Sequence, residues 1–300
     1  MFPDGRRPHF IIIGAVKGAT TWIAHQLRCH PNLWLPKTEP HYFSSDYARG
    51  TDWYATLFDE APPDRILGEK SADYLAHPDA ADRLFQTLPG ARLIVQLRDP
   101  VQRAYSDYCM LYRRGMVGGD PRKYLQGQRS AERRFLASGL YARHLDRFLK
   151  QFPREQLHVL LYEDLAHSAE QMIVDICRHI GVPAHIAPDQ LDSRKNDSST
   201  PLLPLTLRRL LRPMRPALDP LRSNPVLARV RASLASPVRY PPLDGELHRM
   251  LRAYYRDDVC GCRTCFNGIW VCGSAAAFPR RRAIRVLAPE AATKAIRTGG

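Results

Sequence analysis

Short β-branched apolar runs alternate along this chain with longer amphipathic stretches, and that alternation predicts its elements. Residues 10–13, F-I-I-I, stop at Gly14; after a turn of small residues, Ala19, Ile23 and Leu27 recur every four positions. The first run predicts a buried strand and the second pattern an amphipathic helix. A further strand is predicted over Leu93–Leu97, ending at Arg98, and Pro100 suits the first turn of a helix that runs to a stop at Gly115. Residues 139–152 and 157–165 read as helix then strand, and 251–259 as a late helix. Pro36 and Pro40 bar regular helix from 35–43, predicting a loop after the first helix. Strands alternating with helices imply α/β layers around a mainly parallel sheet.

The candidate chemistry falls at the turns. Between the first strand and helix the chain reads G-A-V-K-G-A-T-T-W, residues 14–22. Small residues let a ligand approach the main chain, while the helix-start N–H groups, the hydroxyls of Thr20 and Thr21 and the Lys17 ammonium face one small volume; such a place suits a phosphate. The nucleotide loop G-x-x-x-x-G-K-[ST] needs lysine directly before the hydroxyl residue, whereas here Lys17 precedes Gly18 and Ala19. Arg98 lies at a strand's carboxyl end, where open α/β sheets bind ligands. Ser106 falls about two turns into the next helix, close enough to share an anion with Arg98, the guanidinium binding two oxygens and the hydroxyl a third. Glu39 and His41 stand in the loop L-P-K-T-E-P-H-Y-F, expected near the phosphate turn.

These segments together resemble a known family. K-G-A-T-T, with Lys17, Gly18, Ala19, Thr20, Thr21 and the following Trp22, resembles the 5′-phosphosulfate loop of sulfotransferases that use 3′-phosphoadenosine 5′-phosphosulfate (PAPS). R-D-P-x-x-R-A-Y-S-x-Y, from Arg98 through Ser106, is similar to the family's segment for the 3′-phosphate. K-x-E-P-H-[YF]-F resembles the loop of the carbohydrate, heparan sulfate type branch, in which a glutamate is general base and a histidine assists. G-E-K-S-A-D-Y-L, residues 68–75, is similar to the family's G-E-K-[ST]-P-x-Y, with Ala72 where proline is usual. The resemblance implies a P-loop-like three-layer α/β/α fold. It implies Glu39 as base, His41 orienting base or acceptor, Lys17 stabilising the leaving oxygen, Lys70 at the rim of the acceptor site and Tyr141 of G-L-Y near the nucleotide. Residues 194–201 look like the family's late N-x-S loop. No metal is expected, since the leaving phosphate is already held by cations and N–H groups.

The resemblance covers roughly residues 8–260, giving one domain over 1–260 with a basic, proline-rich elaboration at 201–239 and a cysteine-containing, basic tail at 261–300. Net charge is +14, and twelve of those charges lie in 201–239 and 273–300. Charge placed so late suits an anionic acceptor or an anionic membrane surface, or nonspecific nucleic acid; no motif for reading bases accompanies it. The tail lacks apolar periodicity, so disorder is expected there. Seven cysteines point to reduced thiols and a cytoplasmic enzyme. The spacing of Cys260, Cys262, Cys265 and Cys272 lacks the two separated knuckles of a structural zinc site. The seven-residue apolar run Phe10–Val16 is short for a membrane span or signal peptide.

The expected activity is transfer of the sulfuryl group of PAPS to a hydroxyl on a glycan, glycolipid or other small molecule. Two rivals differ in their requirements. A nucleotide kinase of P-loop-like fold needs lysine directly before Thr20 and a magnesium-binding acid at a strand end. A noncatalytic basic nucleotide-binding protein explains the charge but has no need of Lys17, Glu39, Arg98 and Ser106 together.

Overall fold

The computed structural model describes residues 7–126, 134–186 and 237–265. The strands are β1 (Phe10–Gly14), β2 (Leu33–Trp34), β3 (Ile66–Lys70), β4 (Arg92–Leu97) and β5 (Leu157–Leu161), ordered β2-β3-β1-β4-β5 and all paired in parallel. Nine α-helices are described: α1 (Thr20–Arg28), α2 (Gly50–Thr56), α3 (Ala80–Thr87), α4 (Pro100–Arg114), α5 (Arg122–Leu125), α6 (Arg134–Ala137), α7 (Tyr141–Gln151), α8 (Leu165–Ile180) and α9 (Gly245–Cys265).

Alternation along β1 explains the layers. Ile11 and Ile13 join Leu93, Val95 and Leu97 of β4 and the apolar sides of α3 and α7 in one core. Phe10 and Ile12 join Ile94 and the apolar sides of α1 and α8 in another. A parallel sheet buried on both faces reads as a continuous apolar run, and β1 is buried at all five positions. The expected three-layer α/β/α architecture is thereby realised. A third core joins α4, α5, α6 and α9 through Tyr108, Leu111, Leu125, Phe135, Leu251 and Tyr255.

Local signals also hold. Asp99 caps α4, its Oδ1 accepting from the Gln102 N–H at 2.8 Å, Pro100 takes the first turn, and Gly115 ends the helix with φ 74°. The late helix predicted over 251–259 runs as α9 unbroken past position 260 to Cys265. Its Asp258 accepts from the N–H groups of Ala142 and Arg143, capping α7 from a distance. Cys260 is exposed on α9; the N-x-S segment, most of 201–239, Cys272 and 273–300 lie outside the described residues. No helix among the described residues is long and apolar enough to cross a membrane.

Candidate active site

The site is built where β1 and β4 lie side by side and the chain departs from the sheet in opposite directions. Open parallel sheets leave a crevice at such a point, outside the carboxyl ends of the strands. The turn after β1 is drawn onto β4: the Ala15 N–H donates to the Gln96 carbonyl at 2.9 Å, and a Cβ placed on Gly18 would stand 2.3 Å from that oxygen. Only glycine fits there. Lys17 (φ 69°) and Ala19 (φ 62°) are both left-handed, a conformation costing a non-glycine residue about 1–3 kcal/mol. Ala19 stands at the N-cap of α1 without a side-chain cap, so the first amides of α1 are left for another acceptor.

Lys17 is poorly solvated. Burial pushes its pKa below the usual lysine value and the neighbouring Arg98 and Arg114 add to this, against the pull of Asp107 on α4. A half-buried ammonium at the turn that leads into uncapped amides suits an anion. Arg98 reaches it from β4, its Nη1 donating to the Lys17 carbonyl at 3.4 Å. The guanidinium lies 4.4 Å over the ring of Tyr162, and Glu163 accepts from the Asp99 N–H at 2.8 Å, so the turn after β5 fixes Arg98 from behind. Ser106 is half-buried on the second turn of α4, one residue before Asp107.

The loop of Glu39 and His41 is secured to α1 by Arg28, whose Nη2 donates to the Pro36 carbonyl at 2.5 Å. Glu39 forms a close ion pair with Lys70, and its other oxygen accepts from the Ala72 N–H at 3.0 Å. Lys70 also donates to Thr21 Oγ1 at 3.4 Å. One ammonium therefore joins Glu39 to the start of α1. The side chain of Lys70 is 6% exposed, so it sits inside the site, not at the rim that the resemblance implied. Ala72 has a chemical consequence as well, because proline at that position would have no N–H to give Glu39.

His41 (φ 51°) is held through its N–H, its carbonyl and Nδ1. Its Nδ1 is 2.7 Å from Asp73 Oδ1, and Ser44 Oγ donates to Asp73 Oδ2 at 2.6 Å. The His41 N–H donates to Ser71 Oγ at 2.9 Å, and that hydroxyl donates to Glu69 Oε2 at 2.9 Å. Glu69 is fully buried, its Oε1 accepting from Tyr54 and Tyr74 at 3.0 and 2.9 Å. Burial pushes its carboxyl up to about 7 despite those three donors. The hydrogen bond to Asp73 raises the His41 pKa against desolvation. For Asp73, burial works upward, but the hydrogen bonds from His41 and Ser44 outweigh it and hold the carboxyl low. Glu39, His41 and Asp73 each present a donor atom within 4.8 Å of the others, close enough for a cation. Lys70 already neutralises Glu39, and His41 and Ser44 take up both oxygens of Asp73, so the cluster is self-satisfied.

Lys17, Gly18, Ala19, Thr20, Thr21 and Arg98 thus gather at one sheet end with Glu39 and Lys70. Two further predicted residues have buried rings. Tyr141 is fully buried in the main core, where its hydroxyl interacts with the Arg98 backbone, and Trp22 packs in the core between β1 and α1, 7% exposed. Glu69, Ser71, Asp73 and Tyr162 were missed by sequence reasoning. The S-A-D-Y stretch after Lys70 offered hydroxyl and carboxylate groups, but nothing in it marked His41, 32 positions away, as the partner.

Comparison with known proteins agrees with this geometry. Residues 43–186 match the family described as "Sulfotransferase family". The chain is 33% identical over 184 residues to "Heparan sulfate glucosamine 3-O-sulfotransferase 6" of Homo sapiens, covering 60% of this chain and 52% of that protein. It is 42% identical over 105 residues to "Membrane-associated sulfotransferase kil1" of Dictyostelium discoideum, covering 34% of this chain and 22% of that protein. The chain thus spans about half the length of the human relative. Among solved structures it is similar to a sulfotransferase from Alicyclobacillus acidocaldarius, with a TM-score of 0.64 and 26% identity, covering 87% of this chain and 96% of that one. The parallel sheet, the lysine-glycine turn and these matches agree in making the chain similar to sulfotransferases, relatives of the heparan sulfate type among them.

Proposed function

We propose that this protein transfers the sulfuryl group of PAPS to an acceptor hydroxyl of a carbohydrate or glycolipid, with Glu39 as general base. The observation that carries the reading is the bridge from Thr21 through Lys70 to Glu39, because it fixes the base beside the donor loop. The turn of residues 15–19, with Lys17, Gly18 and the uncapped start of α1, would hold the 5′-phosphosulfate, and Arg98 with Ser106 the 3′-phosphate. Glu39 takes the proton as the acceptor oxygen attacks sulfur in line. The bond from sulfur to the bridging phosphate oxygen breaks, and adenosine 3′,5′-bisphosphate leaves. Lys17 neutralises charge building on that oxygen. A carbohydrate acceptor is supported by the E-P-H loop and by the kind of relatives matched. A cytoplasmic location belongs to the same reading; among the described residues Cys29, Cys109, Cys177 and Cys260 are free thiols, in keeping with it.

Glu39→Gln tests the base. The amide keeps size and polarity but cannot accept the proton, so transfer from PAPS to a sugar hydroxyl falls about 100- to 10,000-fold while adenosine 3′,5′-bisphosphate binding, measured by calorimetry, is retained. Full activity on sugars and phenols alike would remove Glu39 from the mechanism.

A further inference from the structure

We propose that Asp73 is a positioning residue for His41: it fixes the ring's orientation and tautomer beside Glu39, so that His41 meets the acceptor through Nε2. The inference rests on the sulfuryl-transfer reading above and extends it to Asp73, which occupies the variable x position of the G-E-K-[ST]-P-x-Y segment. Asp73 lies in the turn after β3, and its two oxygens have two different partners. Oδ1 accepts a hydrogen bond from His41 Nδ1–H at 2.7 Å, and Oδ2 accepts one from the Ser44 hydroxyl at 2.6 Å. A carboxylate engaged at both oxygens cannot swing, and the ring bound to it cannot flip without breaking a charge-assisted bond.

The backbone of His41 is fixed independently. Its N–H donates to Ser71, while its carbonyl accepts from the N–H groups of Ser44 and Asp46 at 3.2 and 3.0 Å. A left-handed non-glycine residue secured at N–H, carbonyl and Nδ1 leaves the imidazole little freedom. Its side chain nevertheless keeps 40% of its exposure, so the ring is open to a ligand. With Nδ1–H committed to Asp73, the neutral ring offers Nε2 as acceptor and the charged ring offers Nε2–H as donor.

The titratable groups acting on the ring are the carboxyls of Asp73, Glu39 and, where it is ionised, the buried Glu69, with Lys70 paired to Glu39. They favour the charged imidazolium while burial opposes it. Removing the Asp73 charge therefore moves His41 titration to lower pH.

The test is nitrogen-detected NMR of His41 in the full chain, paired with pH–rate profiles for PAPS-dependent transfer to a sugar hydroxyl. The parent should show the Nδ1–H tautomer and a midpoint above 6.5. In Asp73→Asn the midpoint should drop by about one unit or more, the His41-dependent limb of the rate profile should follow it, and Asp73→Glu should restore part of the shift. A simple structural role would lower activity without moving the limb. Should Asp73→Asn fail to fold, Ser44→Ala serves: the carboxylate, freed of its other donor, bears harder on His41 and the midpoint rises. An Nε2–H tautomer in the parent, an unmoved midpoint in Asp73→Asn, or an unmoved or lower one in Ser44→Ala overturns the proposal. Failure of the parent to sulfate any hydroxyl would overturn the transfer reading alone, since the NMR measurement is made without donor or acceptor.

Discussion

Glu69 makes folding stability depend on pH in the direction opposite to an ordinary salt-bridged carboxylate. The group is fully buried against Tyr54, Tyr74 and Ser71, and burial raises its pKa from 4.5 to about 7. The folded protein therefore keeps a proton on Glu69 up to about pH 7, while the unfolded chain releases it near 4.5. Between those values the unfolded state binds fewer protons, so stability declines as pH rises. Its contribution is fully present below pH 4.5 and is lost once pH passes about 7. The gap between the two pKa values, at about 1.36 kcal/mol per unit, comes to about 3 kcal/mol. Full burial leaves no solvent screening to reduce it. The assay is urea denaturation of the parent and Glu69→Gln at intervals from pH 4.5 to 8. The amide changes the absolute stability by an offset, since it donates as well as accepts among three hydroxyls, but it cannot titrate. Subtracting the two curves cancels the shared groups that do not interact with Glu69, and leaves the titration of Glu69 with its coupling to Asp73 and His41. The parent should lose about 3 kcal/mol relative to the variant across the range. Parallel curves would refute the reasoning, showing that Glu69 stays ionised in the folded state.

Lys17→Ala should leave the fold intact and cut turnover at saturating donor about 100-fold or more, because the ammonium acts on charge that develops in the transition state; steady-state rates with circular dichroism as a folding control check this. Arg98→Ala and Ser106→Ala should each weaken adenosine 3′,5′-bisphosphate binding, with about 1.5–3 kcal/mol for a lost charge-assisted bond. A nucleotide without the 3′-phosphate should bind these variants as well as it binds the parent, and calorimetry on both nucleotides separates the cases.

Much of the site could be read from the order of residues because its signals are local. The stop of an apolar run at Gly14, the lysine and glycine beyond it, the proline at the start of α4 and the glycine at its end all act within a turn or two of themselves. They determined β1 and β4, the turn after β1 and the start and stop of α4, and so placed Lys17 and Arg98 at the ends of strands; β2 and β3 carried no such signal. Parallel register then did what no local signal could. Ile12 of β1 pairs with Lys70 of β3, and Gly14 pairs with Val95 of β4, so three strand ends finish side by side and the residues after them share one crevice. That alignment turned Lys70 inward to join Thr21 and Glu39, and brought Asp73 against His41. It also buried the rings of Tyr141 and Trp22 in the cores. Composition could not disclose these outcomes, since the same carboxylate is a solvated surface group or a clamp on an imidazole according to which chain segment, 30 or more residues away, the sheet sets beside it.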